Sequence, residues 1–129
     1  MKKLIAMAKA ARLKAYAPYS KFKVGAALEA ADGRVFTGCN VENASYAATC
    51  CAERTALYKA VSEGARSFKR IVIVADTKKP CPPCGICRQV LVEIAPKLEV
   101  VMANTHGCTS VTSISELIPN AFLADRFKR

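Results

Sequence analysis

Ile71-Val72-Ile73-Val74-Ala75 is an unbroken run of apolar, mostly β-branched residues, the pattern of a strand buried on both faces and therefore central in its sheet. Before it, from about Cys50 to Glu63, apolar residues fall at helical spacing: Ala52, Ala56 and Ala60 form one row, Leu57 and Val61 lie beside it, and Gly64 is the stop. After it, a Pro-rich loop leads to Ile86, Val90, Leu91 and Ile94, which mark a helix ending before Pro96. Val100-Val101-Met102-Ala103 then predicts a fourth strand, and Cys108 to Thr112 is a candidate fifth. Strand, helix, strand in that order favours parallel pairing, because a helical crossover returns the chain to the same end of the sheet. Further upstream, Val24, Ala26 and Leu28 share one face of a strand, Asp32-Gly33 is a hairpin dipeptide, and Arg34-Val35-Phe36-Thr37 returns antiparallel. Leu4, Ala8, Ala11 and Ala15, with Ile5 beside them, make one face of an amphipathic helix that Pro18 should terminate. The sum is an α/β chain with a mixed sheet and helices on both faces.

A length of 129 residues predicts a single domain spanning 1–129. The chain is 52% hydrophobic and 23% charged, a balance that buries enough apolar surface to offset chain entropy and excludes a disordered or collagen-like chain. Lys2 and Lys3 before Leu4 to Ala8 imitate a secretory leader, but Lys9, Arg12 and Lys14 interrupt the apolar run. A cytoplasmic protein with no membrane partner is expected. Twenty Lys and Arg against ten Asp and Glu give a formal charge of +10, which raises an anionic partner as the first alternative. Seven Cys is an odd count, better suited to metal binding or thiol chemistry than to a disulfide framework.

Two cysteine-bearing segments sit where helices should begin: Thr49-Cys50-Cys51-Ala52-Glu53-Arg54 and Pro83-Cys84-Gly85-Ile86-Cys87-Arg88-Gln89. Exposed backbone N–H groups and the helix dipole favour thiolate over thiol there, and thiolate is the form that binds zinc. Three such ligands leave one tetrahedral position open, the mark of a catalytic rather than a structural zinc. Glu53, two residues beyond Cys51, can reach the same pocket without ligating, as a proton shuttle must. Cys84-Gly85-Ile86-Cys87 alone also fits a thioredoxin-like redox site, and the second segment argues against that. A structural zinc ribbon would want two C-x-x-C pairs, whereas Cys50 and Cys51 are adjacent and only one of them should bind. Cys39, Cys50, Cys81 and Cys108 are expected to be buried free thiols acting as small apolar residues. His106 receives no role.

Cys51-Ala52-Glu53 followed by Pro83-Cys84-Gly85-Ile86-Cys87 is similar to the zinc nucleobase-deaminase signature in a three-cysteine form. Ala17 to Ala27 (APYSKFKVGAA), Gly38 to Tyr46 (GCNVENASY) and Cys84 to Val90 (CGICRQV) resemble the small homotetrameric cytidine deaminases, in order and spacing, over nearly the whole chain to about Phe122. The resemblance implies a three-layer α/β/α sandwich with a mixed five-stranded sheet. It also implies hydrolytic deamination of cytidine and 2′-deoxycytidine to uridine and 2′-deoxyuridine with release of ammonia. Carried over, Cys51, Cys84 and Cys87 hold one Zn²⁺ per chain, zinc-bound hydroxide attacks C4, and Glu53 is the catalytic proton shuttle. Ala52 offers its N–H to the pyrimidine carbonyl, Asn40 and Glu42 hold the ribose 3′-hydroxyl, and Phe22 lines the base site. Ala44, Tyr46 and Phe122 match positions that reach a neighbouring subunit's nucleoside, which requires a homotetramer. Asn120 stands where the family commonly has Gly, and Asn tolerates the left-handed backbone better than most residues. Arg54 falls beside the thiolates, where its charge offsets the net −1 of three thiolates and one zinc ion.

Taken without the resemblance, Phe22 is an ordinary core aromatic, Asn40 and Glu42 a solvated turn, and Arg54 a surface helix residue. The rival functions are a polynucleotide deaminase, a redox or structural zinc protein, and a deaminase of nucleoside-like antibiotics. Seven Lys or Arg precede the first acid, Glu29, but nine Phe and Tyr and no Trp are few for base stacking. A pocket closed over a free nucleoside's sugar leaves no room for a strand, so no nucleic-acid partner is expected.

Overall fold

The computed structural model describes residues 1–127. In it the apolar run lies in β3 (Phe68–Ala75), the middle strand of a five-stranded sheet that also contains β1 (Val24–Ala30), β2 (Val35–Cys39), β4 (Glu99–Asn104) and β5 (Thr109–Ser113). The order is β2-β1-β3-β4-β5. β1 is antiparallel to both β2 and β3, β3 is parallel to β4, and β4 is antiparallel to β5, so the sheet is mixed as expected. Alternation along the strands supplies two apolar faces. Ile71 and Ile73 pack with Ala26 and Leu28 against α2 (Ala52–Ser62) and α3 (Gly85–Ile94), whereas Val72, Val74 and Ala27 pack against α1 (Lys2–Arg12). That is the three-layer arrangement.

Topology decides where the site lies. β2 and β3 run the same way because each is antiparallel to β1. The chain leaving β2 must therefore enter α2 at the end of the sheet where β3 stops, and the chain leaving β3 enters α3 at that same end. Both helix N-termini thus meet beside the C-terminal ends of β2 and β3, the crevice where open α/β sheets bind ligands.

Several boundaries differ from those expected. α1 stops at Arg12, short of Ala15 and Pro18. The chain unwinds there through three-residue bonds, Leu13 N–H to Ala10 O and Ala15 N–H to Arg12 O. Tyr16 then pairs as an isolated bridge with Val41, its N–H donating to Asn40 O at 3.0 Å. Backbone pairing with a distant segment thereby replaces the last turn of the helix. α2 begins at Ala52, because Cys50 is taken by a bridge to Val41. None of Cys39, Cys50, Cys81 and Cys108 is buried, and Cys108 is exposed. These cysteines lie at strand ends and in loops, where Cys39, Cys50 and Cys81 are only half-covered.

Candidate metal and nucleoside site

Cys51 and Cys84 are the N-cap residues of α2 and α3, both with extended backbone (φ −70°, ψ 156° and φ −68°, ψ 167°). Each carbonyl accepts the first helical bond, from Thr55 N–H and Arg88 N–H, both at 3.0 Å. Neither sulfur is spent on capping, which leaves both free to point between the helices. Cys87, in the first turn of α3, is fully buried. The three Sγ atoms lie within 4.8 Å of one another, and Cys51 Sγ and Cys84 Sγ are 3.7 Å apart. Zn–S bonds of about 2.3 Å at a tetrahedral angle hold two sulfurs about 3.8 Å apart, so the donor set fits zinc with one position open.

The electrostatics separate these groups into distinct roles. A hydrogen bond from the Cys87 thiol, aided by the Arg54 guanidinium and the Cys84 thiol against the opposing effect of partial burial, lowers the Cys51 thiol to about 5. The Cys87 thiol is pushed up, first because its proton bonds Cys51 and then by its burial. Arg54 Nη2 lies 3.4 Å from Cys51 Sγ and 3.4 Å from Thr49 O. Those thiols raise the guanidinium's pKa further and keep it cationic. Glu53 is 4% exposed, and burial, reinforced by the charge on Cys51, raises its carboxyl to about 7. A carboxyl poised there can both take and give a proton at neutral pH.

Beside these groups opens a cavity of about 200 Å³ whose wall includes Cys51, Ala52, Glu53 and Cys84, together with Phe22, Asn40 and Glu42. The structure thus brings together the residues singled out in the first and second segments. Asn40 is buried, and its amide clamps the wall itself: Nδ2 donates to Phe22 O at 2.8 Å, and Oδ1 accepts Val24 N–H at 2.8 Å. Glu42 Oε1 accepts from Tyr19 N–H and Ser20 N–H at 3.0 and 3.1 Å, and Ser20 Oγ donates to Oε2. That hydroxyl, with the backbone donors, holds the Glu42 carboxyl below its usual range. The arrangement suits a small polar ring with an attached sugar: one cavity combines an apolar and aromatic wall, thiols with a buried acid, and hydrogen-bonding groups.

A family model for the cytidine and deoxycytidylate deaminase zinc-binding region matches residues 1–103. The chain belongs to this family. It is 53% identical over 123 residues to the cytidine deaminase of Sporosarcina psychrophila, covering 95% of this chain and 90% of that one. It is 54% identical over 123 residues to that of Halalkalibacterium halodurans, covering 95% and 93%. The 1.6 Å crystal structure of cytidine deaminase from Burkholderia pseudomallei matches with a TM-score of 0.92 at 57% identity, over 94% of this chain and 98% of that one. The fold expected from the resemblance is therefore the fold observed, and zinc is the metal the family's defining region binds.

Three family-matched positions lie outside the cavity of their own chain. Ala44 and Tyr46 are exposed, Tyr46 with its ring edge-on to Tyr19 at 6.0 Å. Tyr46 instead lines an adjoining cleft of about 390 Å³ that shares Ser20, Glu42 and Thr49 with the cavity. Phe122 is 64% exposed and stacks at a tilt on Phe127, while its carbonyl accepts Gln89 Nε2 at 2.6 Å. Asn120 has a φ of +53°, the left-handed conformation anticipated for a residue in a glycine's place. Ser20, Thr49, Cys81 and Pro82 also line the cavity and were not singled out by sequence reasoning. Of these, Ser20 had a usable signal: a hydroxyl two residues before the aromatic Phe22. Gly38 was missed as well. A Cβ there would meet Ala52 O and Ala56 N, each at 2.5 Å, so its bare backbone sets how closely the α2 N-terminus approaches the sheet.

Proposed function

We propose that this chain hydrolyses cytidine and 2′-deoxycytidine to uridine and 2′-deoxyuridine, water entering at C4 and ammonia leaving. The observation that carries this reading is the convergence of three thiols, from two helix N-termini, to within 4.8 Å of one another, with Cys51 and Cys84 on the wall of a cavity that the buried Glu53 carboxyl also lines. Cys51, Cys84 and Cys87 would hold one zinc ion, which when bound supplies the Lewis acidity that brings a water's ionisation close to neutral pH. Glu53 takes a proton from the attacking water and delivers it to N3, then carries the proton of the new C4 hydroxyl to the amine, so that the C4 carbonyl forms as the C–N bond breaks and ammonia leaves. Arg54 offsets the surplus negative charge of the thiolates. The Ala52 N–H binds the pyrimidine carbonyl, Phe22 packs against the base, and Asn40 and Glu42 hold the ribose 3′-hydroxyl.

The cavity also favours a nucleoside over a nucleotide. Among the described residues on its wall there is no Lys, Arg or His, while Glu42 is held ionised. A phosphate on that wall would meet the Glu42 charge with no wall cation to pair it, since Lys21, whose charge acts on Glu42, is not among the wall residues. The +10 charge is concentrated toward the N-terminus, where seven Lys or Arg precede Glu29, and no Lys or Arg lines the cavity. The exposure of Ala44, Tyr46 and Phe122 fits side chains that complete a neighbour's pocket in a homotetramer. The odd cysteine count, ill-suited to a disulfide framework, supports a cytoplasmic role for this single domain in pyrimidine salvage. Among the described residues no helix is long and apolar enough to cross a membrane.

The test is a cytidine assay followed by ultraviolet absorbance, run with and without a metal chelator beside native mass and zinc measurements. Expected are falling absorbance, one zinc per chain, loss of activity on chelation with recovery on adding zinc, and a four-chain mass. Activity that survives complete removal of zinc, or that is greater on single-stranded DNA or RNA than on cytidine, overturns the reading.

A further inference from the structure

The turn that brings Phe22 to the cavity has an unfavourable backbone. Lys21 has a φ of +60°, in the left-handed region that disfavours residues with a Cβ, and its N–H donates to Ala17 O at 3.1 Å. One side chain bridges across this residue: Ser20 Oγ donates to Glu42 Oε2 and accepts Phe22 N–H at 3.0 Å. A carboxylate has about four acceptor directions. Tyr19 N–H, Ser20 N–H and Ser20 Oγ fill three on Glu42. The direction left over is on the oxygen that Ser20 Oγ orients. Ser20 also stands where the cavity meets the adjoining cleft.

Resting on the cytidine deaminase reading above, we infer that Ser20 is the positioning residue of sugar recognition. Its hydroxyl fixes the Glu42 carboxylate so that the remaining acceptor meets the sugar 3′-hydroxyl, and its bond from Phe22 N–H ties that grip to the aromatic wall beside the base. Ser20 touches no reacting atom. It acts through Glu42 and Phe22, so its loss weakens discrimination between sugars more than it slows the chemistry.

Steady-state kinetics on the zinc-loaded protein with cytidine and 3′-deoxycytidine test this. The wild type should prefer cytidine in kcat/KM by about 10–100-fold, as expected for a hydroxyl bonded to a charged group. Ser20→Ala should raise KM for cytidine about tenfold, leave kcat within about threefold, and shrink the preference about tenfold, to roughly 1–10-fold. Ser20→Thr, which keeps the hydroxyl, should restore the preference. In a Glu42→Gln background, Ser20→Ala should shrink the preference for cytidine over 3′-deoxycytidine no further, since the two act on the 3′-hydroxyl as a unit. Should Ser20→Ala not fold, Ser20→Cys keeps the side-chain shape with a slightly larger atom, weakens the donor and reports the same preference.

The inference is overturned if the preference persists in the hydroxyl-free variant, if the Ser20 and Glu42 effects on that preference multiply independently, or if Ser20→Ala lowers the zinc content below one per chain. A wild-type protein that does not deaminate cytidine fails at the first measurement, before any variant is compared. It removes the activity reading together with the inference, whereas failure of the variants alone leaves the activity standing.

Discussion

A methyl group added at Gly38 would sit 2.5 Å from Ala52 O and 2.5 Å from Ala56 N. Both are backbone atoms and cannot rotate away, and ordinary contact begins near 3.4 Å, so the first turn of α2 must retreat from the sheet by roughly 0.9 Å. That turn carries Ala52, Glu53 and Arg54 and is capped by Cys51. A displacement of about 1 Å in catalytic groups costs about 10²-fold in rate, and overpacking costs about 1–3 kcal/mol of stability. For a chain of this length that lowers Tm by about 4–11 °C yet leaves the variant folded at 25 °C, given total stabilities of about 5–15 kcal/mol. Gly38→Ala is therefore expected to lose about 10²-fold in kcat for cytidine and part of its zinc. Thermal melts, zinc analysis and initial rates on the same preparation measure this. Gly33→Ala is the control: its added methyl meets nothing within 4 Å, but φ is +93°, so it should cost about 1–2 kcal/mol with kcat unchanged. Wild-type kcat in Gly38→Ala, or an equal loss in Gly33→Ala, would refute the link between this contact and the site.

Two further substitutions divide the chemistry among neighbours on α2. Glu53→Ala should still bind one zinc per chain while turnover falls about 10²–10⁴-fold, and retained activity would take Glu53 out of the mechanism. Arg54→Ala should keep the fold, read by circular dichroism, and turn over about 10–100-fold more slowly, because a cation 3.4 Å from Cys51 is lost. Kinetics identical to wild type across a pH series would show that Arg54 has no such role.

Much of this structure was legible along the chain because its determinants are local. The β-branched run at 71–75 has no polar residue to turn toward water, and it occupies the middle strand. Asp32-Gly33 carries the backbone freedom a hairpin needs, and Gly33 takes a φ of +93°. Cys51 and Cys84 precede helical periods and do cap them. The misjudged features depend on distant partners. Ala15 continues a helical row, but Tyr16 pairs with Val41 instead. Cys108 was expected to be buried, but it lies beside an edge strand where nothing covers it.

The sequence by itself determined the element types, the central strand and the chemistry of the candidate ligands, since hydrophobic period and N-cap character belong to short segments. Only the tertiary structure decided that thiols 33 residues apart come within 3.7 Å, and that Asn40 and Glu42 clamp the wall they help to form. It also decided that Gly38 sets the seat of α2. These are contacts across the sheet and its loops, created when β2 and β3 run in the same direction and bring two helix N-termini to one crevice, and no local pattern encodes the distances.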